Sequence, residues 1–557
     1  MVVDNVQADF LNRHSLDLGK WALSASAFQA MVHRWVSKNE DWKGIKSHLD
    51  EDKLNSTLPW HLTFPLLAVA FLSSFGSSML YGYNLAVVNS PDKHIKAFYN
   101  ATWFFRYQQS RTLSPLVPVY SLTASVFAIG GLIGSLIVGS LVSRFGRKGT
   151  IVRSALLVFI AGGLMGLSRL LQSSEMITIG RLITGLHSGI SLSAVPMFLA
   201  EIAPKNLRGF LVMIPTVFIC IGVFAAQILG LPELLGKDEY WPLFLSVIVM
   251  PSLIQFLLLP WFPESPRYLL IEKDNVNASL RALKSYHVNC DVQDLIQEME
   301  EEKHYLSSVQ MCSVQELLTD RSLKWQVITI VVINVGMQLS GIDVIWFYTN
   351  AIFKNTGIPP AQIPYTTVGT GGIEIIAALL GCLTVEKLGR RPLLIAGFTV
   401  MGICCAGITI ALQLQKQVPW MNYVSATCAI GIIAGFCIGP AGIPFILTAE
   451  MFLQCHRPAA YTLGGASNWM CSIIMGLIFP FFQISAGAII YVVFCVICLL
   501  VAMYVFLIVP ETKNKTFLEI SQKFSSVKRH VRFSVANDEM KMSSLNGYDG
   551  TEGGHHT

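Results

Sequence analysis

Charge is what this sequence has least of. Of 557 residues only 13% are Asp, Glu, Lys or Arg, against 53% hydrophobic, and the mean hydropathy is +0.53. Ordinary globular chains carry roughly 25% charge, so too little polar surface is left to coat a soluble fold of several domains. Disorder is excluded for the same reason. The 40 basic residues are scattered and leave no footprint of the kind a nucleic acid needs. No cysteine falls in a long polar segment expected outside the cell. Most of the twelve, among them Cys220, Cys404, Cys405, Cys495 and Cys498, lie inside apolar runs and read as small buried hydrophobes, not as disulfide or metal partners. A cleavable leader is lacking too: residues 1–58 are mixed and charged, and the first long apolar run, near Leu62, reads as a retained start-transfer helix. Nucleophile-elbow, phosphate-loop and zinc-protease motifs are missing, which argues against an enzyme and implies no cofactor and no metal.

What the chain does have is apolar length, enough for about a dozen spans of roughly 20 residues. Runs broken by charge, Pro or Gly predict helices over 62–88, 119–142, 150–170, 176–200, 209–231 and 241–262. After a polar gap they predict helices over 325–354, 364–385, 392–414, 420–448, 457–483 and 487–509. The expected fold class is an all-α membrane protein with twelve transmembrane helices. Its parts read as an N-terminal segment 1–58, a six-helix bundle 59–262, a linker 263–323 with short helices, a second six-helix bundle 324–510 and a tail 511–557.

The two sets of six share more than hydropathy. Arg144-Phe145-Gly146-Arg147-Lys148 follows the second span, and Lys387-Leu388-Gly389-Arg390-Arg391 the eighth. Pro196, Glu201 and Arg208 mark the end of the fourth span; Pro444, Glu450 and Arg457 repeat them at the tenth. Pro263-Glu264-Ser265 ends the sixth and Pro510-Glu511-Thr512 the twelfth. The offsets are 243 (389 − 146), 249 (450 − 201) and 247 (510 − 263) residues. Three unrelated signatures recurring at nearly one spacing point to an internal duplication. Parallel six-span repeats describe a large class of secondary transporter that rocks about a central site.

Short loops keep their positive charge after spans two, four and eight, so both termini and the central 263–323 segment are expected in the cytoplasm. The loop 89–118 then faces outward, where Asn100-Ala101-Thr102 is a glycosylation acceptor. The charged run from Asp291 to His304 reads as short amphipathic helices with a solvated face and no chemistry of its own. Residues 21–36 read as an interfacial helix, and 525–557 as a polar tail. Arg147, Lys148, Arg390 and Arg391 sit at helix ends beside Glu201 and Glu450. Paired across neighbouring helices, with Arg208 and Arg457 beyond, they are expected to hold the inner side shut and release it by rearrangement. That role calls for partly solvated ion pairs, weak enough to break.

Taken in order, Ser143-Arg144-Phe145-Gly146-Arg147-Lys148, Gly180-Arg181, Pro263-Glu264-Ser265-Pro266-Arg267, Gln338-Leu339-Ser340-Gly341, Gly389-Arg390-Arg391 and Pro510-Glu511-Thr512-Lys513 resemble the sugar-porter branch of the major facilitator superfamily, specifically the facilitative hexose transporters. The resemblance covers about 60–520. Tyr81-Gly82-Tyr83-Asn84, Trp346-Phe347-Tyr348-Thr349-Asn350, Ile358-Pro359-Pro360 and Gly371-Gly372-Ile373-Glu374 look most like the class II members that handle fructose and, in one branch, urate. It implies the major facilitator fold, alternating access, and a plasma-membrane carrier whose partners are a small-molecule substrate and the lipid bilayer.

A polyol or heterocycle loses water on reaching the bilayer midplane, and unpaired polar groups there cost several kcal/mol. Amides within spans, which both donate and accept, are the natural replacement. The resemblance places substrate at Gln227, Gln338, Asn468 and Trp469, with Tyr81, His187 and Phe445 as further candidates. Met337 stands where many relatives place a second Gln, Asp343 where they place Asn, and Phe445 where the glucose-handling branch has Trp. Asp343 and Glu374 are intramembrane carboxylates, which call for a functional explanation; an ionised Asp343 would disfavour an anion such as urate. In proton-driven sugar porters an acid follows the Gly-Tyr pair of span one, where this chain has Asn84, an amide that cannot carry a proton. Uniport is therefore expected. The alternatives are a proton-coupled symporter, a voltage-sensitive urate carrier with little sugar transport, and a non-transporting sensor.

Overall fold

The computed structural model describes residues 62–107, 113–287, 292–306, 312–342, 345, 353, 359, 361–415, 417–418, 420–486 and 489–521. Asp343, residues 346–350 and both termini lie outside the described residues. Among those described, the chain is helical and runs α1 (Phe64–Ala86), α2 (Asp92–Tyr107), α3 (Leu113–Phe145), α4 (Arg147–Leu167), α5 (Glu175–Ile202), α6 (Arg208–Leu229) and α7 (Trp241–Trp261). Then come α8 (Val276–Tyr286), α9 (Gln293–Tyr305), α10 (Val314–Thr319), α11 (Lys324–Leu339), α12 (Ile363–Leu388), α13 (Arg390–Leu414), α14 (Met421–Ile438), α15 (Ile443–Met451), α16 (Arg457–Ala486) and α17 (Ile489–Ile508).

Among the described residues, ten helical stretches are long and apolar enough to cross a membrane, α14 and α15 counting together as one. The apolar α11 and the thirty-residue α16 fall where the seventh and eleventh spans were expected. Leu136, Met250, Leu383, Ile403, Phe506 and Leu507 stand exposed on the outside of these helices. Apolar side chains on that scale meet lipid, not water.

Local chemistry explains where the helices differ from simple apolar runs. The loop expected to face outward holds a helix, α2, whose Ile95 and Tyr99 pack into a core with Tyr83, Trp241 and Phe244. Asn100 lies half-buried on α2, and the Thr102 hydroxyl donates to Phe98 O at 2.8 Å. In α1 the Ser74–Ser78 stretch takes π-helical form. The expected 420–448 helix breaks between Ile438 and Ile443, where Pro440 and Pro444 remove two backbone donors.

The most deeply buried span is α5, which packs along α3 so tightly that a Cβ on Gly189 would lie 2.1 Å from Gly131 O. Small residues let membrane helices approach this closely. The two halves meet along α3 against α16 and α6 against α12. Two tight turns, at Gly146 and Gly389, link α3 to α4 and α12 to α13 with φ of +81° and +96°. Glycine alone takes that conformation without strain, and at both places the missing side chain leaves room for a carboxylate. Glu264 accepts from the backbone N–H of Arg147, Lys148 and Gly149 at 3.0, 2.9 and 3.1 Å. Glu511 does the same for Arg390 and Arg391 at 3.1 and 3.0 Å. Each carboxylate satisfies orphan donors at a helix start, where the dipole favours an anion.

Candidate functional site

A cavity lies between the two halves. Tyr81 of α1 and Thr216, Ile219, Cys220 and Val223 of α6 line it from the first half. Gln338, Glu374, Phe436, Cys437, Phe445 and Asn468 face them from the second. Gln338 Nε2 donates to Asn468 Oδ1 at 2.8 Å, while the Gln338 carbonyl oxygen is buried with no hydrogen-bond partner. That leaves an acceptor ready for a solute. Glu374 is 1% exposed. Trp469 lies outside the lining and packs behind Tyr81, its ring edge-on to Tyr81 and Phe127 at 5.7 Å each.

Five of the sequence candidates thus share one cavity: Tyr81, Gln338, Glu374, Phe445 and Asn468. Gln227 sits beside it, not in its lining; its carbonyl oxygen is buried, unpartnered, and packed against Gly371. His187 is elsewhere, held by Ser154 O at 3.1 Å and Ser191 Oγ at 3.2 Å, a satisfied link between α4 and α5. Sequence reasoning passed over Thr216, Cys220 and Val223. The signal was there: 216, 220, 223 and 227 are spaced by four, three and four, one face of α6 ending at Gln227.

At the end of the molecule carrying the Gly146 and Gly389 turns, seven charged side chains are buried close together. Arg147 Nε lies 3.0 Å from Glu201, which also accepts from Ser265 Oγ and, across the halves, from Gln454 Nε2 at 3.0 Å and Arg457 Nη1 at 3.3 Å. Arg147 pairs with Glu272 as well. In the second half Arg390 lies 2.9 Å from Glu450 and 2.7 Å from Glu386, and Thr512 Oγ1 donates to Glu450 at 2.6 Å. Glu386 crosses over to accept from Gly209 and Phe210 N–H, at 2.6 and 3.2 Å, on the first turn of α6. The Arg147, Glu201, Arg390 and Arg457 side chains are 0% exposed.

Three expectations change here. The pairs are fully buried, not partly solvated, because the linker and the start of the tail cover them. The Phe517 ring lies under the guanidinium groups of Arg208, Arg457 and Arg267 at 3.7, 4.2 and 4.6 Å. Lys148 and Arg391 do not join the ion pairs. Lys148 Nζ donates to Pro260 O and Phe262 O at 3.1 and 2.8 Å, and Arg391 to Phe506 O. Each cation therefore meets carbonyls near the end of its half's last span, the favourable end of a helix dipole. Finally, the charged face of α9 is not merely solvated. Met299 packs with Leu270 and Leu283, which carries Glu298 and Glu302 onto Arg267. Glu298 also lies 3.7 Å from Arg208. Burial pushes the Glu298 carboxyl up, but Arg267 and Arg208 outweigh it and hold its pKa below the usual value.

Among the described residues, the opposite end is tied across the halves more lightly. There Tyr365 Oη donates to Glu233 at 2.5 Å, in the open. Deeper in the first half, Arg181 Nη1 donates to Asn84 O at 2.8 Å and lies 3.4 Å from its side-chain oxygen, with the guanidinium 4.5 Å over the Phe127 ring.

Comparison with known proteins adds four findings. The chain is 47% identical over 460 residues to "Solute carrier family 2, facilitated glucose transporter member 9" of Homo sapiens, covering 83% of this chain and 85% of that protein. It is 44% identical over 478 residues to "Solute carrier family 2, facilitated glucose transporter member 5" of Equus caballus, covering 86% and 95%. A solved structure of the major facilitator superfamily proton:xylose symporter XylE, bound to 6-bromo-6-deoxy-D-glucose, matches with a TM-score of 0.72 at 23% identity over 82% of this chain and 99% of that one. The family model described as "Sugar (and other) transporter" matches residues 69–524. This chain belongs to the sugar transporter family. Its fold is the major facilitator fold, an all-α membrane architecture. Within that family fold, the three signatures repeated in the sequence meet in space, once in each half: Gly146, Glu201 and Glu264 around Arg147, and Gly389, Glu450 and Glu511 around Arg390.

Proposed function

We propose that this protein carries a hexose, fructose or glucose, down its gradient across the plasma membrane by alternating access. The observation that carries this reading is the shared cavity, lined from both halves and furnished with an amide pair whose carbonyl oxygen is unspent. Gln338, Asn468, Glu374, Thr216 and Tyr81 replace the water that a sugar's hydroxyls give up, while Phe445 takes its C–H faces. Gln227 extends the polar lining by one helical turn. The buried charge network serves as the cytoplasmic gate, closed in this state; the positive loops beside it support a topology with both termini and the linker inside and Asn100, as a glycan acceptor, outside. Asn84, whose backbone and side-chain oxygens face Arg181, is an amide that cannot carry a proton and stands where proton-driven sugar porters have an acid, which supports uniport.

Uptake of labelled fructose, glucose and urate into oocytes expressing the chain tests this, with and without a pH gradient or an altered voltage. Saturable hexose entry with counterflow and no response to the pH gradient is expected. Gln338→Ala, which removes one to two hydrogen bonds of about 0.5–1.5 kcal/mol each, should weaken apparent sugar affinity by roughly 3- to 100-fold. Flux that rises linearly with concentration, or proton uptake with the sugar, would overturn the reading.

A second reading is supported by the cavity walls. Met337, Cys220, Cys437, Phe436 and Phe445 give it soft, polarisable faces suited to a flat heterocycle such as urate. Glu374, when ionised, opposes an anion there, so urate entry should depend on voltage and grow in Glu374→Gln.

A further inference from the structure

Cys220 is the sole cysteine in residues 1–289; the other eleven lie from position 290 onward. That one thiol does not face lipid. It sits on α6, buried, on the wall of the cavity, and its sulfur is 3.9 Å from the sulfur of Cys437 on the last turn of α14. Both residues line the same cavity, so a small solute that enters it reaches both. They also belong to opposite halves, which must move relative to each other when the cavity changes sides.

We propose that Cys220 and Cys437 form a modification site, a thiol pair that a small uncharged hydroperoxide entering the cavity converts to a disulfide bridging the two halves. The inference rests on the carrier reading for its consequence, the arrest of transport, but not for the bond itself. The geometry is near what the bond needs. A disulfide holds its sulfurs about 2.0 Å apart, so the pair must close by about 1.9 Å, within what a side-chain rotation at either cysteine provides. The backbone can also give, because α14 ends one residue after Cys437 and the chain is interrupted until Ile443. Gly442, at the far side of that interruption, packs on Met213 and Thr216 of α6, so the two strands of the contact stay in register.

With hydrogen peroxide the chemistry balances in two steps. One thiol sulfur attacks a peroxide oxygen, the O–O bond breaks, and a sulfenic acid and one water form. The second sulfur then attacks the sulfenic sulfur, forming the S–S bond and releasing the second water. The two thiols lose two electrons and two protons; the peroxide gains both and ends as water. Glu374, a carboxylate on the same cavity wall, gives the thiol proton a way out. The product pins α6 to α14 across the cavity, so the halves cannot rock apart.

The test uses the full chain in proteoliposomes, with a protease recognition sequence inserted at 288–289. Cleavage there yields an N-terminal fragment whose only thiol is Cys220. After hydrogen peroxide and then protease, non-reducing electrophoresis should show the two fragments still joined, separating on addition of dithiothreitol. Cys437→Ser and Cys437→Ala should both release free fragments after the same treatment. In parallel, fructose uptake measured before and after peroxide in the same vesicles should fall at least fivefold and recover on reduction. Free fragments from the unsubstituted chain, or a joined band that survives both substitutions, would overturn the site. A joined band with uptake undiminished would overturn the lock. Vesicles that take up no hexose even before oxidation would count against the transport reading alone, since the joined band is read without it.

Discussion

The two halves of this protein are wired alike internally and differently toward each other. In each, a glycine turn is capped by a distant carboxylate, an arginine reaches a glutamate at the end of the span two positions on, and a hydroxyl from the last motif steadies that glutamate. Arg208 and Arg457 occupy equivalent places in the repeat, yet Arg457 enters the other half's Glu201 while Arg208 turns to Glu298 of the linker and the Phe517 ring. In the opposite direction the second half sends a carboxylate, Glu386, to the first turn of α6. Duplication accounts for what is the same. The linker, present once, accounts for what differs, because one chain connection can cover only one set of equivalent arginines in this way. Within the charge network, then, symmetric parts hold each half together, and asymmetric parts tie the halves to one another.

That comparison can be broken most forcefully at Glu201. Glu201→Gln leaves Arg147 and Arg457 buried with one charge too few, which for a buried pair costs about 3–5 kcal/mol. Thermal unfolding in detergent should drop by several degrees, and thiol labelling of Cys455 from the gate side should accelerate. Glu450→Gln, with one arginine and a threonine at stake, should do less; equal losses would mean that the cross-half contacts carry nothing. Next come Gly146→Ala and Gly389→Ala. Each forces a left-handed residue and sets a methyl 2.5 or 2.6 Å from the capping carboxylate, for about 1–3 kcal/mol each. Their melting points should fall together, since the turns are equivalent. A smaller effect, on the order of 1–2 kcal/mol, is expected for Phe517→Ala, read as faster hydrogen exchange in 516–521.

The last effect is at the linker, where Glu298→Gln leaves Arg267 its partner Glu302 and Arg208 the Phe517 ring, and should cost less than Glu201→Gln. It has a pH signature. Because the folded pKa of Glu298 lies below its ordinary 4.5, its stabilisation is complete above that value and is lost as pH falls through the depressed folded pKa. Hydrogen-exchange protection of α9 attributable to this residue should hold from pH 8 to pH 5 and fall below about 4.5. The glutamine variant should lack that step.

Much of this was legible in the sequence because it was local or repeated. The apolar runs placed most of the spans, and the 243-, 249- and 247-residue offsets paired the motifs that cluster in each half. Gln338 and Asn468 were chosen one by one and turn out to share a hydrogen bond. What stayed hidden depends on packing between elements far apart in the chain. No periodicity reports that Arg457 crosses to Glu201, that Glu298 docks on Arg267, or that three arginines converge on Phe517. His187 misled for the reverse reason: a buried imidazole in a span looks functional until its two carbonyl and hydroxyl partners are seen. The break between α14 and α15 was obscured because Pro440 and Pro444 sit inside an uninterrupted apolar run, and hydropathy cannot register a missing backbone donor.

The capping of the glycine turns has a consequence for how the molecule comes into being. The amide groups of Arg147 and Arg390 wait 117 and 121 residues for the carboxylates that satisfy them, and in both cases the wait ends just as that half's final span has been made. A ribosome feeding the bilayer from the amino end can thus finish and fasten the earlier bundle before the later one exists. The later bundle then assembles by the same recipe, and only the joints between the two are left for the end of synthesis.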